Sequence, residues 1–268
     1  MPRITREQLL STLKAVGNSA IKLQDMDLSG LDLAGLNLSS TNLSGANLSG
    51  ANLEKANLSG ANLSRANLEG LNLAGAKLES ANLTGANLER VNLTSANLES
   101  ANLTGANLTG VNLAGANLTY ANLTGANLTG VNLAGANLMG ANLTGANLQE
   151  ANLKSANLSS SRLHKADLRG ADLSGANLSS VDAIEANFQG ANLRGAKLQS
   201  CNLAGADLCG ADLSEADFAG ISLNQAKYSA QTLWPSDFVA ILVPGLVLVE
   251  DDSTTKRLEG SPTVKLDS

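Results

Sequence analysis

The sequence predicts an all-β solenoid, a four-sided β-helix of about 10 coils behind a short N-terminal α-helical cap. Three observations predict it. From Ile21 to Ala230 the chain runs in groups of five with no insertion or deletion, and Ala101-Asn102-Leu103-Thr104-Gly105 is typical. Similar residues also return every 20 positions: Val91, Val111 and Val131; Val181, Cys201 and Ile221; Thr84, Thr104, Thr124 and Thr144. Finally, the 268 residues are 43% apolar yet only 2% aromatic, too few large rings for an ordinary globular core.

The chain begins with a helix. Residues 3–17 form an amphipathic pattern in which Leu9, Leu13 and Val16 share a face. Thr5 and Gln8 have capping-box spacing, Ile4 and Leu9 have staple spacing, and Gly17 suits the stop. Residues 1–20 therefore read as a cap over the first coil, whose edge would otherwise recruit other strands.

The repeat occupies residues 21–230, which is 42 quintets. Let i be the central residue of each. It is Leu in 38 quintets, the exceptions being Ala183, Phe188, Phe218 and Tyr228. Position i−1 is Asn in 28 and Asp in 8, i−2 is mostly Ala, and 23 of the 26 glycines stand at i+2. A period of five fits neither a helix nor a flat strand. It fits a short extended piece followed by a tight turn, with i and i−2 facing inward and i−1 and i+1 facing outward. Gly then marks a recurring corner. The 20-residue period makes four quintets one coil, so 42 quintets give 10.5 coils. At the β spacing of about 4.8 Å the rod is roughly 50 Å long.

After Tyr228 the register dissolves into Gln231-Thr232-Leu233-Trp234-Pro235. Phe238 to Val249 is an apolar run broken by Pro244-Gly245, too short to span a membrane. Residues 231–249 read as a C-terminal cap. The alternative is an association segment making a homodimer through Trp234, Phe238, Ile241, Leu242 and Leu246. Residues 250–268 read as a polar, flexible tail.

The Ala-(Asn/Asp)-Leu-X-Gly run over residues 21–230 resembles the pentapeptide repeat family. The resemblance implies a right-handed quadrilateral β-helix with i and i−2 inside, which accounts for the missing aromatics, because a narrow square tube accepts Leu and Ala but little Trp. The segment Thr232-Leu233-Trp234-Pro235 resembles the closing Thr-X-Trp-Pro of bacterial, especially cyanobacterial, members.

Composition excludes several functions. A net charge of −6 argues against direct nucleic-acid binding. Two cysteines and one histidine leave no disulfide framework and no multi-histidine metal centre, so no metal or cofactor is expected. Cys201 should face in and Cys209 out, and the two cannot bridge. His164 stands alone on the outside. No nucleophile–base pair or phosphate loop is present, so the chain is not read as an enzyme. The N-terminus carries no signal peptide, and the 15 Asn-Leu-Ser and Asn-Leu-Thr triplets would be glycosylation acceptors in a eukaryotic secretory pathway; a cytoplasmic bacterial protein fits better.

Two features bear on partners. From Ser100 to Gln149 there is no charged residue. Along and just below this stretch Asn82, Asn102, Asn122 and Asn142 should stack, as should Thr84, Thr104, Thr124 and Thr144, making a stiff, flat, neutral interaction face. The leading expectation is a non-catalytic rod presenting flat polar faces to a protein partner. The alternative, implied by the resemblance, is a DNA-mimicking inhibitor or protector of a type II topoisomerase such as gyrase. Its motive is the acidic row Asp167, Asp172, Asp182, Asp207, Asp212 and Asp217, although Arg162, Lys165, Arg169, Arg194 and Lys197 interrupt it. An ice-binding face is a remote third. Ala183 leaves Leu volume empty; Val181 and Phe188 are expected to fill it, the alternative being a bend or bulge near Ile184.

Overall fold

The computed structural model describes residues 2–17 and 21–250. Its unit is the quintet, and successive coils pair in parallel at a spacing of 20: Lys22 with Asn42, Asn82 with Asn102, Asp207 with Lys227. One coil shows the bonding. Leu103 N–H donates upward to the Asn122 carbonyl at 2.7 Å, and Asn122 N–H donates down to the Ala101 carbonyl at 2.9 Å. Each corner closes on itself, as Ala106 N–H donates to the Leu103 carbonyl at 3.0 Å. The backbone is thereby satisfied on every side without long strands. The inward Leu and Ala residues are buried in one continuous core.

The corner residue at i+2 takes a left-handed φ from Asp25 to Gln225 whatever its type: 23 glycines and 18 other residues. Glycine adopts this conformation freely, whereas an L side chain costs roughly 1–2 kcal/mol there. The ladder, not local preference, sets the corner.

At the N-terminus, α1 spans Arg6–Val16, with Thr5 as N-cap and a complete capping box to Gln8. Leu9 is fully buried, and Ile4 and Leu13 pack on the core beside it. The helix starts later than residue 3 because the chain before it is extended. Asp27 N–H donates to the Pro2 carbonyl at 2.8 Å, and Arg3 pairs with Asp27. The Val16 side chain and residues 18–20 lie outside the described residues.

At the C-terminus the register shifts by one and then resumes, rather than dissolving. Asp212 pairs with Leu233, a spacing of 21. Strand β1 (Lys227–Tyr228) then pairs in parallel with β2 (Val247–Leu248), again 20 apart. A 3-10 turn, Ala240–Leu242, lies between. Thr232 anchors the shift: its hydroxyl donates to the Leu208 carbonyl at 2.9 Å and accepts the Ser229 N–H at 3.0 Å and the Gly210 N–H at 3.2 Å.

The aromatics gather here. The chain has six, and four of them, Phe218, Tyr228, Trp234 and Phe238, form one cluster. Phe218 meets Trp234 edge to face at 6.0 Å, and Trp234 tilts onto Phe238 at 4.7 Å. Phe188 is the ring inside the tube, and Tyr120 stands outside it. The expected tail, apart from Glu250, lies outside the described residues.

Candidate interaction surfaces

The predicted face is one side of the rod. Asn82, Asn102, Asn122 and Asn142 pair rung to rung through the backbone, and all four are half-buried with their Thr neighbours. Their amides do not stack as expected. In each quintet the Asn Oδ1 accepts the backbone N–H of the Thr two residues on, as at 3.1 Å from Thr104. It also accepts that Thr hydroxyl, at 2.7 Å in Thr104 and 2.6 Å in Thr124. On this face the oxygen is then occupied, and the amide of the next coil is not bonded to it. Asn82 still donates to Asn62 Oδ1 at 3.3 Å. Asn102, Asn122 and Asn142 have no partner for their NH₂ groups among the described residues. Where Ala follows the Asn, the ladder forms: Asn132 donates to Asn112, and Asn152 to Asn132, both at 3.1 Å. Where Thr follows, the amide of the next coil leaves the Asn ladder: at Asn102, Asn122 and Asn142 it is unpaired among the described residues, whereas Asn127 and Asn137 donate to the Thr109 and Thr119 hydroxyls, both at 2.9 Å.

Beside this face stands a residue the sequence reading passed over. Tyr120 occupies a corner, is 61% exposed, and lies against Gly140 one coil above. The signal was present: it is the one aromatic at a corner, inside the uncharged stretch. His164 and Ile184 continue the Thr row beyond Thr144, both half-exposed.

Around Ala183 the ladder is unbroken. Ala183 N–H reaches the Asn202 carbonyl at 2.8 Å, and Glu185 N–H reaches Ala204 at 2.9 Å. Ala183, Val181 and Phe188 are all buried, so the site is packed without a bulge. The same coil leaves Asp182 Oδ1 buried without a partner, as it does Ser161 Oγ one coil below. Burial, and then the nearby Asp182 charge, push the Cys201 thiol up to about 12. Cys201 is buried and Cys209 half-exposed, and neither is in a disulfide.

Some acids of the later coils are paired with bases, while Asp182, Asp207, Asp212 and Asp217 form no ion pair among the described residues. Arg169 pairs with Asp167 at 2.6 Å, Lys154 with Asp172 at 3.1 Å, Lys165 with Glu185 at 3.5 Å and Arg194 with Glu215 at 2.6 Å. The Arg169 guanidinium holds the Asp167 carboxyl below its usual range, and Gln149 adds a hydrogen bond in the same direction. Charges of both signs are interspersed along this region.

The C-terminal segment both covers and exposes. Trp234, Phe238 and Leu246 pack against the core. Ile241 is 85% exposed, and Leu233, Val239 and Leu248 are each about half exposed. The side chain of Leu242 lies outside the described residues. Among the described residues there is no group of three or more potential metal ligands, and no helix long and apolar enough to cross a membrane.

A four-sided coil with a five-residue period and an Asn-Leu core-and-surface alternation defines a β-solenoid built from short repeats. The family model "Pentapeptide repeats" matches in eight copies between residues 21 and 227. The chain belongs to the pentapeptide repeat family, whose fold is the right-handed quadrilateral β-helix. No enzyme family is indicated. Comparison with curated proteins returned no match. Among solved structures, the chain is similar to HetL, a pentapeptide repeat protein involved in heterocyst differentiation regulation in the cyanobacterium Nostoc sp. strain PCC 7120. The identity is 31% over 88% of this chain and 99% of that one, with a TM-score of 0.50. It is also similar to trypsin-treated QnrB1, a plasmid-mediated fluoroquinolone resistance protein, at 17% identity over 74% and 93% of the chains, with a TM-score of 0.48. Rfr23 from the cyanobacterium Cyanothece 51142 matches at 33% identity over 42% of this chain and 90% of that one, with a TM-score of 0.27.

Proposed function

We propose that the protein is a non-catalytic interaction rod of about ten coils, capped by α1, that presents a flat neutral face to a partner protein in the bacterial cytoplasm. The observation that carries this reading is the row of free amide donors at Asn102, Asn122 and Asn142, within a stretch that bears no charge. Amide donors left half-buried gain most from a partner that supplies acceptors. Tyr120 supplies an exposed aromatic beside them, the side-chain type that most often anchors interfaces. Its attitude against Gly140 lowers the entropy lost on binding. The likeness to HetL, a protein involved in regulating a differentiation programme, supports a binding role over a purely structural one.

The test uses Asn102→Asp, Asn122→Asp and Asn142→Asp together. Asp occupies i−1 in 8 quintets of the natural chain, so the fold accepts it. Affinity purification from a native lysate should recover a partner with the wild type and lose it with the triple variant. Equal recovery by both proteins would remove the face from this reading.

Self-association through residues 231–249 is the second part of the proposal. Its support is the exposed apolar surface left by Leu233, Val239, Ile241 and Leu248. The topoisomerase alternative has less support, because its acids are interleaved with paired bases. The ice-binding alternative draws on the Thr row alone, whose hydroxyls are engaged with Asn.

A further inference from the structure

One ladder runs the whole length of the rod. It begins at Arg3, passes through Asp27, Asn47 and every twentieth residue to Lys227, and ends at Val247. Its two ends are treated differently. The first rung carries Arg3, preceded by Pro2, with α1 following. Charge, proline and a covering helix are the usual means of blunting a sheet edge. Among the described residues the last rung, Val247-Leu248-Val249, has none of them. It is uncharged and apolar, and all three side chains are exposed.

The groups on that edge follow from the pattern below it. In each quintet the i−2 carbonyl and the i N–H point to the next coil. Thus Ala206 C=O accepts from Lys227 N–H, and Leu208 N–H donates to Lys227 C=O, both at 2.8 Å. In the last rung Leu246 and Leu248 hold those two positions. Val247 N–H points down, to the Ala226 carbonyl at 2.8 Å, and Val249 N–H points down, to the Tyr228 carbonyl at 2.7 Å. The Leu246 carbonyl and the Leu248 N–H have no rung above them among the described residues.

The sequence that follows does not continue the repeat. Of the six inward positions in the three quintets after Glu250, only Leu258 is apolar; the others are Asp251, Ser253, Lys256, Ser261 and Thr263. A second copy of the chain, by contrast, is self-complementary at this edge. An antiparallel strand related by a two-fold axis at Val247 places its Leu248 N–H on the first copy's Leu246 carbonyl, and the reverse. These are the two bonds that flank a non-hydrogen-bonded pair in an antiparallel ladder. Val247 then faces its equivalent at the short cross-strand distance of such a pair.

We propose that two copies join end to end by pairing their last rungs, Leu246 to Leu248, into one antiparallel ladder continuous with both rods. This rests on the reading of residues 231–249 as an association segment and names its pairing element.

The test is sedimentation velocity on the full chain over roughly 1–200 µM, the range in which a micromolar dimer dissociates. The wild type should be a dimer at the upper end. Val247→Lys with Val249→Lys, and separately Leu248→Pro, should each raise the dissociation constant at least tenfold. Leu248→Pro removes an N–H that bonds nothing among the described residues. Ile241→Asp, off the rung, is the comparison. A dimer broken by Ile241→Asp but untouched by the rung variants overturns rung pairing and leaves the association segment standing. A wild type that stays monomeric overturns both. Unchanged circular dichroism and melting temperature in the rung variants show that they fold.

Discussion

The ring of Tyr120 lies against Gly140, the corner residue one coil above it: a Cβ added to Gly140 would stand 2.6 Å from two ring carbons. The glycine is required twice, by its φ of +66° and by the ring. Gly105 has a similar φ, +62°, but open space around it. Gly105→Ala should therefore cost about 1 kcal/mol from backbone strain alone. Gly140→Ala should cost more, about 2 kcal/mol, because the ring must move as well. Urea unfolding of the two variants checks the difference, and Tyr120→Ser should abolish it.

The non-glycine corners point the other way. Ser95 and Ser155 hold φ at +55°. Replacing either with Gly removes strain of about 1–2 kcal/mol but adds backbone entropy to the unfolded chain. A net gain of about 0.5 kcal/mol per site is expected, and the two should add because they lie several coils apart. Thermal melts of the single and double variants test this.

Thr232 replaces three backbone partners at once. Thr232→Val leaves the Ser229 amide without its side-chain acceptor and takes one of two partners from the Gly210 amide and from the Leu208 carbonyl, which keeps the Ala211 N–H at 3.1 Å. Gly210 keeps a bond to the Ser229 hydroxyl. A loss of about 2–3 kcal/mol follows. Thr232→Ser should restore most of it. Trp234, the one tryptophan, reports the opening of this end by its emission.

The two thiols should differ in reactivity. With its pKa near 12, Cys201 is thiol at any neutral or mildly alkaline pH, and the thiolate is the reacting species. Native protein at pH 8 should label at Cys209 and not at Cys201. Denatured protein should label at both. Peptide mass mapping after alkylation distinguishes the sites.

Acid should weaken the later coils through Asp167. Its carboxyl is held below the usual range by Arg169. The stabilisation is therefore fully present above the unfolded value of about 3.9 and is lost as pH falls through the lower folded value. Asp167→Asn should flatten that acid limb of the stability profile while leaving stability near pH 7 slightly reduced. Melting temperatures from pH 7 to pH 2.5 would show it.

The sequence by itself determined the coil. A five-residue period with Leu at i and Ala at i−2 admits one arrangement of inward and outward residues, and the 20-residue recurrence sets four sides. The rung partners Asn82 and Asn102 could be written down before any coordinates. So could the capping box of Thr5 and Gln8, because both are local patterns. Tertiary structure decided what depends on competition between neighbouring coils. Whether an Asn amide bonds the Asn below it, turns to a neighbouring hydroxyl or is left unpaired is decided between coils, as Asn132, Asn127 and Asn122 show. The one-residue shift at Thr232 is a contest between local register and three buried backbone groups. The last rung at Val247, unpaired above among the described residues, appears only when β2 returns to the ladder after the excursion through 231–244. A repeat is legible in one dimension because every copy states the same rule. Its exceptions and its ends depend on what lies 18 to 22 residues away.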